Sequence, residues 1–179
     1  MQSQYDPDIL ARAAKVRLMI FDVDGVLTDG SLHFGCDGEL MKTFNVHDGL
    51  GIKLLQQSGV ETAIISARQS AIVTRRASDL GFHHVLQGVH DKRVPFAALL
   101  ATSGFSAEQC GYIGDDVIDL PILTRVGFAV GVPNGRPEVH SRVHLVTKAG
   151  GGNGAVREVC EFLLHAQGKH EKIFAQFLA

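Results

Sequence analysis

The chain has 179 residues, of which 45% are hydrophobic, so it is long enough for one domain with a sizeable core and needs no disulfide framework or structural metal. Seventeen Lys and Arg against nineteen Asp and Glu give a net charge of −2, which argues against a nucleic-acid-binding protein. No apolar run approaches the roughly 18 residues of a membrane-spanning helix, and the N-terminal segment lacks the apolar stretch of a signal peptide. The three cysteines lack CxxC spacing, which argues against a disulfide framework or a zinc site. We therefore expect a cytoplasmic protein.

Short apolar runs alternate with segments of helical periodicity, and glycines separate many of them. Two extended runs flank Cys36-Asp37-Gly38, where the Asp-Gly pair predicts the turn of a β-hairpin. In chain order, the predicted elements are a helix over 6–15, a strand over 16–21, the hairpin over 31–44, a helix over 47–58, a strand over 60–66, a helix over 69–80, a strand over 83–88, a helix over 93–102, a strand over 110–116, a helix over 117–125, a strand over 127–132, an edge strand over 144–147, a helix over 153–167 and a C-terminal tail over about 169–179.

This alternation predicts a doubly wound, Rossmann-like α/β fold, in which a parallel sheet carries helices on both faces. We expect a single domain over residues 1–179, with the hairpin forming a flap at about 30–45 and no residues left over for a cap domain. In such sheets, ligands bind beyond the carboxyl ends of the strands, so the side chains at those ends indicate the function.

Acidic side chains follow two of the predicted central strands. Asp22 and Asp24 follow the first strand, and Asp115, Asp116 and Asp119 follow the strand over 110–116 or lie at its end. Taken singly, each group also fits a turn or a helix N-cap. Together, several carboxylates at one sheet edge repel one another unless a cation or a proton offsets their charge, and ligands that are all oxygen favour Mg²⁺.

A hydroxyl and an amine complete the set, because Ser66 ends the second strand and Lys92 lies in a later loop, and both suit a phosphoryl group. The segments FDVDGVLTDG, IISAR, Lys92 and GDDVIDLP resemble, in order, the four motifs of the haloacid dehalogenase (HAD) superfamily of phosphohydrolases. From about residue 16 to 168, the chain further resembles one family of that superfamily, the 3-deoxy-D-manno-octulosonate 8-phosphate (Kdo 8-phosphate) phosphatases. The stretches KTFNVHDGLGIK and GGGNGAVREVCEFLLHAQGK carry this second resemblance.

The resemblance implies catalytic roles for four residues. Asp22 is expected to be the nucleophile that forms an aspartyl-phosphate, and Asp24 the general acid and then the general base. Ser66 is expected to hydrogen-bond a phosphoryl oxygen, and Lys92 to offset charge on the nucleophile and the phosphate.

The resemblance also implies a magnesium site. Its expected ligands are Asp22, the main-chain carbonyl of Asp24, and Asp115. Asp116 and Asp119 are expected to lie behind these ligands, with contact through water left open for both.

Substrate contacts are implied by the same family match. Arg68 and Arg76 are eight residues apart, on similar faces of one predicted helix, and their guanidinium groups suit a sugar-acid carboxylate; a solvated helix face is the alternative. Asp48 and Gly49 also fit a plain helix start. The implied substrate contacts are Asp24, Asn45, Val46, His47, Asp48, Gly49, Lys53, Arg68, Arg76 and Lys92.

Three further features qualify the match. Ala67 replaces the usual Gly beside Ser66, which predicts a slightly different backbone there. His47 replaces a basic residue, which predicts substrate binding that depends on pH near neutrality. The run Gly150–Gly152 before the last long helix fits either an anion cradle or a flexible turn.

The expected function is therefore the Mg²⁺-dependent hydrolysis of Kdo 8-phosphate in the synthesis of the lipopolysaccharide inner core. Three alternatives stay open: a phosphatase for a related nonulosonate 9-phosphate, a phospho-accepting receiver-like domain, and a non-catalytic subunit. Asp24 and the hairpin argue against the receiver-like domain, and the intact motif set argues against the non-catalytic subunit. We expect a small sugar-acid phosphate as the partner, and neither nucleic acid nor membrane.

We also expect a homotetramer, which the family resemblance implies. A phosphoryl-transfer site benefits from excluding water, but no cap is available, and an isolated two-stranded hairpin is marginally stable. Paired hairpins of neighbouring subunits would solve both problems, with the region of Arg68 or Arg76 completing a neighbour's pocket. The apolar side chains that a monomer is expected to leave partly exposed are Leu32, Phe34, Leu40 and Phe44.

Overall fold

Six parallel strands form the sheet at the centre of the computed structural model, which describes residues 6–178. Two further strands pair antiparallel in a separate hairpin. The strands are β1 (Leu18–Phe21), β2 (His33–Gly35), β3 (Gly38–Met41), β4 (Glu61–Ile65), β5 (His84–Leu86), β6 (Cys110–Gly114), β7 (Phe128–Gly131) and β8 (Leu145–Val146).

The helices connect these strands and cover the sheet. Pro7 opens the first helix behind the N-cap Asp6, as the sequence predicts. Within residues 6–178, none of the helices is long and apolar enough to cross a membrane. The helices are α1 (Pro7–Ala14), α2 (Val46–Gln57), α3 (Ala71–Leu80), α4 (Arg93–Ser103), α5 (Leu120–Leu123), α6 (Pro137–His140), α7 (Ala155–Ala166) and α8 (His170–Ala175).

The chain adds strands to both sides of β1. The sheet order is β5-β4-β1-β6-β7-β8, so the first half of the chain builds one side and the second half builds the other. Phe21, the last residue of β1, pairs with Ile64 on one side and Ile113 on the other. Such a switch in winding direction opens a crevice at the carboxyl end of β1. The predicted doubly wound fold is confirmed.

Both faces of β1 are buried, each in its own hydrophobic core. Met19 and Phe21 pack into a core with side chains of α2 and α7, whereas Leu18 and Ile20 pack into a core with side chains of α4 and α5. Alternate residues of a strand point to opposite faces, so a run of four fully buried apolar residues requires helices on both sides.

The hairpin turns at Cys36 and Asp37, and Gly38 begins β3 with φ +117°, a conformation that favours glycine. Within the described residues, this hairpin is the only sheet structure between β1 and α2, as the flap without a cap domain requires. It exposes large apolar side chains, with Phe34 60% exposed and Leu40 66% exposed. Phe44 is partly buried, because it packs against the core at the base of the hairpin.

Two details of the fold differ from the sequence prediction. Helix α3 begins at Ala71, because the Ser70 side chain accepts a hydrogen bond from the Val73 N–H and caps the helix. Arg68 therefore lies in the preceding loop, and the prediction that Arg68 and Arg76 share one helix face is wrong. The C-terminal tail, for which the sequence predicts no element, contains the short helix α8.

Candidate active site

A buried lysine joins the carboxyl ends of the two central strands. Asp22 follows β1, and the Lys92 Nζ lies 2.6 Å from Oδ1 of Asp22 and 2.6 Å from Oδ1 of Asp119. Tyr112, in β6, donates its hydroxyl proton to Asp119 Oδ1 at 2.6 Å and accepts from Lys92 at 3.0 Å. Burial lowers the pKa of Lys92, but Asp22 and Asp119 outweigh burial and raise it above its usual value. Lys92 is therefore a fixed cation.

Asp119 is fully occupied by contacts within the protein. Besides Lys92 and Tyr112 at Oδ1, its Oδ2 accepts the backbone N–H groups of Asp115 at 3.0 Å and Asp116 at 3.2 Å. Asp119 therefore shapes the loop that carries Asp115. In the preceding strand, a side chain at position 114 would collide with the Asp119 carboxylate, which explains the glycine there.

Three carboxylates form the acidic cluster of the site. Asp22, Asp115 and Asp119 each offer an oxygen, and these oxygens lie within 4.8 Å of one another. Burial, followed by the charges of Asp119 and Asp116, raises the pKa of Asp115 to about 7. Burial and the charge of Asp119 likewise raise the pKa of Asp22. This excess of negative charge over Lys92 fits a hard cation such as Mg²⁺. Within the cluster, both oxygens of Asp119 already accept hydrogen bonds from the protein.

A third loop, after β7, holds the two acidic loops together. Asn134 Nδ2 donates to the carbonyl of Gly25 at 2.9 Å, and its Oδ1 accepts the Gly151 N–H at 2.7 Å. The Arg136 N–H donates to the carbonyl of Asp115 at 2.7 Å. Gly25, with φ +90°, lies against the Asp115 carboxylate, where any side chain would collide.

The glycine run Gly150–Gly152 leads into a turn, and two of its N–H groups are bonded within the protein. The N–H of Gly151 is taken by Asn134, and that of Gly152 donates to the Val26 carbonyl at 2.9 Å. A side chain at Gly151 would collide with the Gly25 carbonyl. The run is a tightly packed support for the loop after β1, because only glycine permits this approach of two backbones.

The structure places the other two predicted catalytic residues at the same sheet edge. Ser66 directly follows β4, the neighbour of β1, and is buried; its Oγ lies 3.4 Å from the N–H of Arg68. Asp24 lies in the loop after β1, with Arg68 Nε 3.9 Å from its Oδ2. The hairpin also brings the Lys42 ammonium onto Asp24 Oδ1. The sequence analysis did not predict this contact.

The chain matches known proteins over most of its length. Residues 77–158 match the haloacid dehalogenase-like hydrolase family. The chain is 47% identical to the Kdo 8-phosphate phosphatase of Yersinia pestis over 92% of its own length and 88% of the relative's, and 44% identical to that of Escherichia coli K12 over 94% and 90%. A Moraxella catarrhalis Kdo 8-phosphate phosphatase, whose crystal structure is a complex with magnesium ion, phosphate ion and KDO, aligns with a TM-score of 0.94 at 42% identity, covering 97% of this chain and 99% of that one.

The chain belongs to the Kdo 8-phosphate phosphatase family. The family resemblance in the sequence is thereby confirmed, and with it the assignment as a phosphatase of the HAD superfamily. A site of buried carboxylates around one lysine at the switch point of the sheet is the arrangement that this chemistry needs.

The loop that the family match assigns to substrate carries several structural contacts in this phosphatase. Asn45 caps α2 by accepting the His47 N–H at 2.8 Å, and Asp48 is buried, where it accepts the Arg157 N–H in the first turn of α7 at 2.7 Å. Gly49 lies against the Arg76 guanidinium, so a side chain there would collide. The contacts of these residues with substrate stay a prediction.

The remaining predicted substrate residues divide by exposure. Val46, His47, Lys53 and Arg68 are exposed, so their side chains are accessible to a small molecule. Arg76 is half-buried over the Phe44 ring, 5.7 Å from its centroid, with Nη2 3.5 Å from the Asn45 carbonyl. Arg68 is thus the arginine beside Asp24, whereas Arg76 supports the base of the hairpin and the start of α2.

Proposed function

We propose that this protein hydrolyses Kdo 8-phosphate to Kdo and phosphate, in the synthesis of the lipopolysaccharide inner core. The observation that carries the proposal is the close match, over nearly the whole chain, to a phosphatase whose structure holds magnesium, phosphate and KDO. The acidic cluster around Lys92 agrees with this chemistry, because it combines a nucleophilic carboxylate, a fixed cation and oxygen ligands for Mg²⁺.

Asp22 is proposed as the nucleophile of the first step. Its carboxylate oxygen forms a bond to phosphorus while the bond between phosphorus and the sugar oxygen breaks. Asp24 donates a proton to the departing sugar oxygen, which leaves as an alcohol. Lys92 orients Asp22 through its hydrogen bond of 2.6 Å and offsets charge on the transferring group, and Ser66 donates to a phosphoryl oxygen.

Asp24 acts in the opposite sense in the second step. Its carboxylate removes a proton from a water molecule, the water oxygen bonds to phosphorus, and the bond to Asp22 breaks to release inorganic phosphate. Asp22, Asp115 and the Asp24 carbonyl are proposed to hold Mg²⁺, and the bound ion stabilises negative charge on the phosphoryl group. Asp119 keeps the Asp115 loop in place.

Continuous release of phosphate tests this function. We expect the purified protein with Mg²⁺ to hydrolyse Kdo 8-phosphate over many turnovers, EDTA to abolish the release, and added Mg²⁺ to restore it, with Ca²⁺ a poor substitute because it accepts looser and larger ligand shells. The measurement is a colorimetric phosphate assay, with a nonulosonate 9-phosphate and a neutral hexose phosphate as parallel substrates.

Each alternative gives a different result in this assay. Transfer of one phosphoryl group per chain to the protein, with no continuing release of phosphate, would indicate a receiver-like domain, which is labelled once and stops. Faster hydrolysis of the nonulosonate 9-phosphate would assign the other sugar acid. Full activity after exhaustive chelation would contradict the magnesium site.

We further propose that the enzyme is a cytoplasmic, single-domain protein that assembles as a homotetramer through its hairpins. The exposed apolar side chains on the hairpin support this, since an uncovered apolar surface on an isolated two-stranded sheet is typical of an interface. The hairpin residues with large exposed fractions are Leu32 at 45%, Phe34 at 60%, Leu40 at 66% and Met41 at 46%.

Light scattering tests the assembly. We expect the wild-type protein to have the mass of a tetramer and Phe34→Asp to dissociate it with loss of sugar-acid specificity, because the substitution replaces an apolar side chain by a charged one at an apolar interface. Val94→Asp is the matched control, since Val94 is 68% exposed and belongs to α4, not to the hairpin. A fully active wild-type monomer at assay concentration, or a dissociated Phe34→Asp variant that keeps its specificity, would contradict the proposal.

A further inference from the structure

The hairpin buries a charged side chain against a predicted catalytic acid. Lys42 follows β3, and only 1% of its side chain is exposed, although Met41 and Thr43 on either side are exposed. Its Nζ donates to Asp24 Oδ1 and lies 3.2 Å from Glu39 Oε1. Since a buried ammonium is costly unless it is paired, this contact is a specific feature of the folded hairpin.

A second set of contacts fixes Lys42 to the rigid part of the molecule. Glu39 Oε2 accepts a hydrogen bond from the Ser70 hydroxyl. Ser70 is itself buried: its Oγ caps α3 by accepting the Val73 N–H, and its own N–H donates to Gln87 Oε1 at 2.9 Å. The ammonium is therefore held by a residue that is anchored to the end of a helix, so its position does not depend on the hairpin alone.

Asp24, by contrast, is on a loop with a partly exposed carboxylate, 22% accessible. Among residues 6–178, its charged neighbours are Lys42 at Oδ1 and Arg68, 3.9 Å from Oδ2. A carboxyl group that first donates a proton to a sugar oxygen and later removes a proton from a water molecule has to stay within hydrogen-bond distance of both oxygens.

We propose that Lys42 is a positioning residue that holds the Asp24 carboxylate in place for its two proton transfers. This inference rests on the proposed function, in which Asp24 is the general acid and base. It makes the hairpin part of the catalytic apparatus as well as a wall of the site: Asp24 is correctly placed only when β3 lies over the loop after β1. Two other roles for Lys42 are distinguishable, a direct contact with the phosphoryl group and simple packing of the hairpin.

Two substrates separate these roles. The sugar oxygen of Kdo 8-phosphate needs a proton to leave, whereas nitrophenolate leaves from 4-nitrophenyl phosphate without one. We expect Lys42→Met to lower kcat on Kdo 8-phosphate about 10–100-fold, the range for residues that orient a catalytic group. The single-turnover burst of nitrophenolate, which reports only the attack of Asp22, is expected to stay close to the wild-type rate.

Matched variants complete the experiment. Asp24→Asn should give the same pattern with a larger loss, about 10²–10⁴-fold. Lys42→Arg, which keeps the charge, should recover most of the lost activity, and Lys15→Met, on the exposed end of α1, should match wild type. Thermal melting of each variant confirms that the compared proteins are folded.

Three outcomes would overturn the proposal. An equal loss of activity on both substrates would make Lys42 a ligand of the phosphoryl group or a packing residue. Unchanged rates on both substrates would leave Lys42 without a role in catalysis. No recovery of activity by Lys42→Arg would exclude a role for its charge. Failure of the proposed function looks different, because the wild-type protein itself would then not hydrolyse Kdo 8-phosphate; the comparison of leaving groups would still be made on whichever alkyl phosphate it accepts.

Discussion

The Asp22→Asn variant is expected to lose phosphate release by at least about 10³-fold while keeping its fold, because the amide cannot attack phosphorus and is a poor ligand for a hard cation. The fold should survive because burial and the charge of Asp119 already disfavour the ionised form of Asp22, whose pKa is raised. Lys92 also keeps its second partner, Asp119, at 2.6 Å. The measurements are the phosphate assay and a thermal melt.

The control for Asp22→Asn is Asp91→Asn. Asp91 is an exposed acid beside Lys92 in sequence, but its carboxylate pairs with Arg93 rather than with the site. We expect this variant to retain wild-type activity. Substantial turnover in a well-folded Asp22→Asn sample would remove Asp22 from the mechanism.

The Lys92→Met variant is expected to lose both activity and stability. Lys92 is the cation between Asp22 and Asp119, and removing one partner of a buried ionic group typically costs about 3–5 kcal/mol because the remaining charges are left uncompensated. Chemical denaturation should show this loss in the free energy of unfolding. The phosphate assay should show no turnover above background, since charge on the transferring group is no longer offset.

A double variant separates the two effects of Lys92. Lys92→Met combined with Asp119→Asn removes one negative charge together with the positive one, and the amide is still able to accept the N–H groups of the Asp115 loop and to bond Tyr112. We expect it to recover much of the stability lost by Lys92→Met and none of the activity. A Lys92→Met protein as stable as wild type would contradict the buried charge balance described above.

The sequence determined the fold and the identity of the acidic residues at the site. Four-residue to five-residue apolar strands such as Leu18–Phe21 alternate with amphipathic helices, and this pattern has one common solution, a parallel sheet covered on both faces. Because the carboxyl ends of parallel strands meet at one edge, Asp22, Ser66 and Asp115 had to converge there. The roles assigned to them individually stay predictions for the experiments above.

Only the tertiary structure decided which side chains support these residues. Lys42 reaches Asp24 across 18 positions of sequence, and Asn134 reaches Gly25 across 109. Neither has a local signal, since a lysine after a strand and an asparagine in a loop are ordinary surface residues. Their partners are set by how the hairpin and the loop after β7 fold back over the sheet edge, and the pairing then follows because a charge or amide buried there must find a hydrogen-bond partner.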